Sequence, residues 1–272
     1  MVMARSTAPP DWGDRIRTFA LATGVGLSGL VVGLALTLVV AIVFRLAGIP
    51  ITPSLSIVLS TVLLQGVAFG SVAYAYARYR NDTARFLRFR LPSIREIGLA
   101  VAGWLAALAA LLVISGVLQS TNAPTATNDV ADLGMAHPEV LLLLVPLSFL
   151  LVGPGEELLF RGVVQGTLRE RFGPVPGVLL ASLVFAGVHF TSLSGSVSGR
   201  IVTIAALFVI ALVLGGLYEY TGNLTVTALV HGAYNATQFG LLYLQQTHAA
   251  AGHLAPYGVH VGALASLVAQ VH

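Results

Sequence analysis

Residues 19–44, FALATGVGLSGLVVGLALTLVVAIVF, form an unbroken apolar run of 26 residues without a charged side chain. A helix needs about 20 such residues to cross the hydrocarbon core of a bilayer, and the apolar core of a signal peptide is shorter than this run. No small-residue cleavage site follows it, so the run predicts a first transmembrane span. The whole chain agrees. Hydrophobic residues make up 56% of the 272 and charged residues only 9%, against about a quarter in a soluble domain. Mean hydropathy is +0.88. A chain so poor in charge cannot cover its surface in water, and its solvent must be largely lipid.

Outward from that run, residues 55–77 and 97–118 predict spans two and three. A polar segment at 119–137, free of lysine and arginine, separates the chain into halves. Residues 140–168 predict a fourth span, interrupted by Pro146 and by Gly153-Pro154-Gly155. These breakers predict a break or re-entry near 153–155. Residues 178–190, 201–218 and 224–244 give spans five to seven, and 258–271 is a marginal eighth. The fold class is therefore all-α, a polytopic transmembrane helical bundle of about 7–8 spans. Lipid admits only helices or closed barrels, and these runs are too long for barrel strands.

All 14 basic residues are arginine, and 11 of them fall in three groups. Arg5, Arg15 and Arg17 precede span one, Arg78, Arg80, Arg85, Arg88, Arg90 and Arg95 lie between spans two and three, and Arg169 and Arg171 follow span four. The positive-inside rule places all three groups in the cytoplasm. The expectation is a cell (plasma) membrane protein with a cytoplasmic N-terminus, a loosely ordered tail at 1–18 and an extracytoplasmic loop at 119–137. The net charge of +3 is then topological, and no nucleic-acid partner is expected. The absence of cysteine excludes disulfides, thiolate metal sites and a cysteine nucleophile.

Some apparent motifs carry no chemistry. Gly24-Val25-Gly26-Leu27-Ser28-Gly29 fits GxGxxG, but no strand precedes it. Gly29 and Gly33 read instead as small-residue helix packing. Gly195-Ser196-Val197-Ser198-Gly199 reads as a flexible turn, not a nucleophile elbow. His137, His248, His253, His260 and His272 read as ordinary histidines of loops and tail, and Arg200 as an interfacial anchor.

Three segments place polar groups inside apolar helices: Glu156-Glu157-Leu158-Leu159-Phe160-Arg161, Phe185-Ala186-Gly187-Val188-His189 and His231-Gly232-Ala233-Tyr234-Asn235. An ionised side chain at mid-membrane costs roughly 2.5–3.5 kcal/mol on insertion scales, so such residues usually face a bundle interior and serve function. Glu157 and Arg161 are four apart and can pair on one face. Glu156 lies about 100° round from Glu157 and points elsewhere. His231 and Asn235 share a face, and Phe185 sits one turn below the His189 imidazole. Should these faces converge, a carboxylate and an imidazole could activate water, and a His/Asn pair could bind an oxyanion. The bland alternative is interhelical hydrogen bonding, which is common for a lone His or Asn. It fits two adjacent acids poorly.

At these residues the sequence resembles the CPBP family of CAAX- and bacteriocin-processing intramembrane proteases, also called the Abi or type II CAAX endopeptidase family. That family carries EExxxR, FxxxH and HxxxN (or HxxxB) in this order. The context is similar too, with Phe160-Arg161-Gly162 after the acids and Tyr218-Glu219-Tyr220-Thr221-Gly222-Asn223-Leu224 before the last motif. The resemblance covers residues 141–239. It implies that 138–272 is a catalytic membrane core, following three N-terminal helices within 19–118. It implies that Glu156 activates water together with His189, that Glu157 and Arg161 support the site, and that His231 and Asn235 form the oxyanion hole.

The implied activity is a glutamate-type intramembrane endopeptidase without a cofactor. Its substrate would be a lipidated CAAX protein that loses its C-terminal tripeptide, or a peptide or bacteriocin precursor. Two alternatives stand beside it. Glu156, His189 and His231 could instead hold zinc, although no HExxH is present. The chain could also be a transporter or immunity protein that retains the motif. Depth poses a question, because these spans put His189 near the outer end of a short helix and Glu156 inward of the midplane.

Overall fold

A computed structural model describes residues 11–250. The marginal span at 258–271, with His253, His260 and His272, lies outside the described residues. Among the described residues, six helices are long and apolar enough to cross a membrane: α1 (Trp12–Leu46), α2 (Pro53–Tyr79), α4 (Ile94–Thr121), α6 (Pro138–Phe172), α7 (Pro174–Ser192) and α8 (Val197–Thr221). A further long helix, α9 (Leu224–Ala250), carries the third polar motif. Short elements complete the chain: α3 (Thr83–Phe86), β1 (Thr127–Asn128), α5 (Asp129–Ala136) and β2 (Leu193–Ser194). The architecture is an all-α polytopic bundle.

Local chemistry sets the helix ends. Asp11 accepts a hydrogen bond from the Gly13 amide and Asp14 lies in the first turn, so α1 starts at Trp12, inside the expected tail. Ser93 and Glu96 form a reciprocal capping box at the start of α4. Ser196 accepts from the Gly199 amide and caps α8. The segment expected to be a flexible turn at 195–199 is thus a helix start.

The greatest departure from expectation is in α6, which does not break at Gly153-Pro154-Gly155. Neither glycine has positive φ, and the helix runs on between two widened π-helical stretches, Ser148–Val152 and Leu158–Gln165. Pro154 has no N–H to offer the preceding turn, and a wider turn lies just before it in the continuous helix. The glycines serve close approach instead. A Cβ on Gly153 would stand 2.6 Å from the Ala228 carbonyl oxygen of α9, and one on Gly155 would collide with the Gln65 carbonyl of α2. Glu156 is therefore held on a helix clamped between two neighbours. We expect Gly155→Ala to lower stability by about 1–3 kcal/mol, the usual cost of overpacking. Thermal unfolding of the solubilised protein would show it, and an unchanged melting curve would refute the clamp.

The depth question resolves in the same region. Helix α6 extends to Phe172 and α7 begins at Pro174, joined by Gly173 at φ 85°. Counted from Gly173, Glu156 lies 17 residues back and His189 lies 16 residues on. Two antiparallel helices leaving one tight turn bring both to about the same height.

Arg80, Arg85, Arg169 and Arg171 collect at one end of the bundle. Arg80 and Arg85 pair with Glu170 at 2.7 and 3.0 Å, Arg169 pairs with Glu219 at 2.6 Å, and Arg171 pairs with Asp14. Glu170 holds the Arg80 guanidinium pKa above its ordinary value. At the other end β1 pairs antiparallel with β2, Thr127 opposite Ser194 and Asn128 opposite Leu193. This pairing ties the 119–137 connection to the end of α7, next to His189.

Candidate active site

Glu156, His189, His231 and Asn235 all line one cavity of about 470 Å³. Sequence spacing predicted the pairs within each helix. The structure adds the contacts between helices.

Glu157 is fully buried and bridges Arg161 and His231. One carboxylate oxygen accepts from Arg161 Nε at 3.2 Å, and the other lies 3.0 Å from His231 Nδ1. A carboxylate oxygen can only accept here, so Nδ1–H donates and the ring is fixed by its partner. His231 Nε2 then points toward Glu156 Oε2, 3.8 Å away, which is longer than a hydrogen bond. Glu156 has no side-chain hydrogen bond among the described residues and borders the cavity. The two adjacent acids are thus separated as expected, one consumed and one exposed to the cavity.

Arg161 is the largest fully buried side chain among the described residues. Its Nε serves Glu157, while Nη1 and Nη2 have no hydrogen-bond partner there. The guanidinium carbon sits 4.8 Å from the centroid of the Phe185 ring, so the ring face takes part of the charge. Phe185 also meets Phe160 edge-on at 5.2 Å and His231 at 5.9 Å. The motif phenylalanine is the packing post between the arginine and both imidazoles.

His189 ends the α-helical part of α7, and its Nδ1 lies 2.8 Å from the Phe185 carbonyl oxygen. That oxygen accepts, so Nδ1 carries the proton and Nε2 retains a lone pair. No hydrogen bond joins His189 to Glu156 among the described residues, and both border the same cavity. Asn235 follows His231 by one turn and makes no side-chain hydrogen bond among the described residues, so its amide is open to the cavity.

Zinc would need Glu156, His189 and His231 to converge on one point. Among the described residues no three His, Cys, Asp or Glu side chains stand close enough to hold a metal ion. His231 Nδ1 is committed to Glu157, and only its Nε2 remains on the cavity side.

The sequence did not reveal the rest of the wall. Leu30 of α1 and Leu64, Gln65 and Phe69 of α2 also line the cavity, as do Asn128 and Asp129 beside the β pair. The Gln65 Oε1 is buried without a partner. A signal was present, because Gln65 is the only polar side chain in the stretch VLLQGVAFG at 62–70.

Comparison with known proteins points to the same part of the chain. Residues 138–237 match the family model described as type II CAAX prenyl endopeptidase Rce1-like, and every candidate site residue falls inside that range. The uncharacterized protein YpbD of Bacillus subtilis (strain 168) is 40% identical over 82 residues, covering 30% of this chain and 36% of that protein. An uncharacterized 24.3 kDa protein of Escherichia coli is 32% identical over 108 residues, covering 39% and 46%. The chain thus spans less than half the length of these curated relatives. No solved structure matches it significantly. The three motifs gather around one cavity inside the matched segment, and over residues 138–237 this membrane protein is similar to the Rce1-like type II CAAX prenyl endopeptidase family.

Proposed function

We propose that the chain is an intramembrane endopeptidase in which Glu156 is the general base. The observation that carries this reading is the division of labour between the two adjacent acids. Glu157 is tied to Arg161 and His231, while Glu156 faces a cavity in the membrane core, without a side-chain hydrogen bond among the described residues and with His231 Nε2 3.8 Å away.

A water between Glu156 and His189 Nε2 loses its proton to Glu156 and attacks the scissile carbonyl carbon. The oxyanion that forms is taken by the Asn235 amide and by His231 Nε2–H, with His231 doubly protonated. In that state the buried charges of Glu156, Glu157, Arg161 and His231 balance, which suits a poorly hydrated site. The C–N bond then breaks, and the proton on Glu156 passes to the leaving amine. No cofactor takes part.

The substrate is a peptide or lipidated protein, and the apolar wall from α1 and α2 suits an aliphatic lipid group. The arginine-rich end faces the cytoplasm of the cell membrane, with the N-terminus on the same side. Helices within 19–118 serve as wall and support, and 138–272 as the catalytic core.

The test is incubation of the purified chain in lipid nanodiscs with a prenylated CAAX peptide and an unprenylated control. Release of the C-terminal tripeptide from the prenylated peptide alone, surviving exhaustive chelation of a zinc-free preparation, is expected. Cleavage of neither would remove the CAAX activity. Loss of cleavage on chelation would overturn the metal-free mechanism. His189→Ala should reduce turnover by about 10²-fold or more, the scale of general acid–base catalysis.

A further inference from the structure

The arginine end holds a second cleft, of about 650 Å³, lined by Asp82, Arg85, Arg88, Arg169, Tyr218 and Glu219, among others. It has no part in the chemistry above. Three arginines meet two carboxylates there, and most of these charges are already matched. Arg169 pairs with Glu219 and Arg85 with Glu170, while Asp82 caps α3 through the Arg85 amide. Arg88 is the excess cation: among the described residues its side chain makes no ion pair or hydrogen bond. Its backbone, in contrast, is fixed. The Arg88 carbonyl accepts from the Leu224 amide at 2.9 Å, and the Arg90 amide donates to Asn223 Oδ1 at 3.4 Å. The segment is therefore pinned to the turn between α8 and α9, with its spare guanidinium at the cleft.

The adjoining surface is apolar. In Arg88-Phe89-Arg90-Leu91-Pro92-Ser93-Ile94, the side chains of Leu91 and Ile94 are 92% and 85% exposed, and Phe89 is also exposed. Arginines alternating with exposed apolar side chains at the end of a transmembrane bundle suit the interface, where phosphates lie beside acyl chains. A soluble anion would have no use for Leu91 and Ile94.

We infer that this cleft binds a phosphate oxyanion supplied by an anionic phospholipid headgroup, with Arg88 as its principal cation and Phe89, Leu91 and Ile94 against the acyl chains. Basic recesses at helix ends select anionic lipids through the charge they leave unmatched. The cleft lies behind the catalytic helix: Phe86 packs onto Gly166, and a Cβ on Gly162 would collide with the Phe86 carbonyl. Lipid binding is read without any substrate, so the proposal stands apart from the proteolytic reading.

The experiment is native mass spectrometry of the full chain, titrated in detergent with phosphatidylglycerol, phosphatidylcholine or inorganic phosphate. Wild type should retain phosphatidylglycerol over phosphatidylcholine. Arg88→Gln should weaken that retention about fivefold, the worth of one interfacial cation. Arg88→Lys should restore it, and Arg45→Gln, at the opposite end of α1, should leave it unchanged. Arg88 is exposed and makes no side-chain bond, so its replacement should not disturb folding. Equal retention of the two lipids, an Arg88→Gln variant that binds as wild type does, or displacement of the lipid by millimolar phosphate would each overturn the assignment.

Discussion

In the Glu156→Gln variant, peptide cleavage should fall by about 10²–10⁴-fold, the contribution of a positioned general base, while the protein remains folded and soluble in detergent. The amide is nearly isosteric with the carboxylate, and Glu156 makes no side-chain hydrogen bond among the described residues that the exchange would break. Its nearest ionic neighbour is His231 Nε2 at 3.8 Å. The loss should therefore appear in kcat, with the apparent Tm changed little. Glu157→Gln should behave differently, because Glu157 holds Arg161 and His231 at 3.2 and 3.0 Å and is fully buried. There stability and turnover should fall together. Near-wild-type turnover in Glu156→Gln would refute the assignment of the base, whatever the substrate.

Much of this site was legible before the structure, and the reason is periodicity. The Glu157–Arg161 pair and the shared face of His231 and Asn235 follow from four-residue spacing on a helix. Membrane class and fold class follow from composition and run length. Contacts of long sequence separation were not legible. His231 Nδ1 meets a carboxylate 74 positions away, and no local pattern encodes that. The α1 and α2 walls escaped notice for the same reason, apart from the lone Gln65.

Gly153-Pro154-Gly155 was misread because glycine carries two meanings. It can release a helix from its geometry, or it can let another backbone approach. Here the carbonyls of Gln65 and Ala228 occupy the space where the Cβ atoms would be, so the second meaning applies. The flanking π-helical stretches have no compositional signature. They occur often at functional sites, and one of them begins at Leu158, directly after the two acids. The depth mismatch arose from ends placed four residues early in α6 and four residues late in α7. Charged Arg169 and Arg171, and prolines at 174 and 176, ended the apolar runs before the helices themselves ended.

Arg161→Met should produce the largest loss of stability of any single change in the site, about 3–5 kcal/mol, because it strands a buried carboxylate. Glu157 has no solvent access, and His231 alone would have to offset its charge. If that account is right, the double variant Glu157→Leu/Arg161→Met should be more stable than Arg161→Met. Removing both members of a buried pair is often neutral or stabilising, whereas removing one is not. Rescue should be incomplete, since His231 Nδ1–H would then lack its acceptor, at a cost of about 1–3 kcal/mol for a buried polar group left unpaired. Activity should not return, because the imidazole loses the contact that aims Nε2 at the cavity. Comparative unfolding would rank wild type first, the double variant second and Arg161→Met last. A double variant no more stable than the single one would mean that Arg161 acts through Phe185, whose ring lies 4.8 Å beneath it, more than through Glu157.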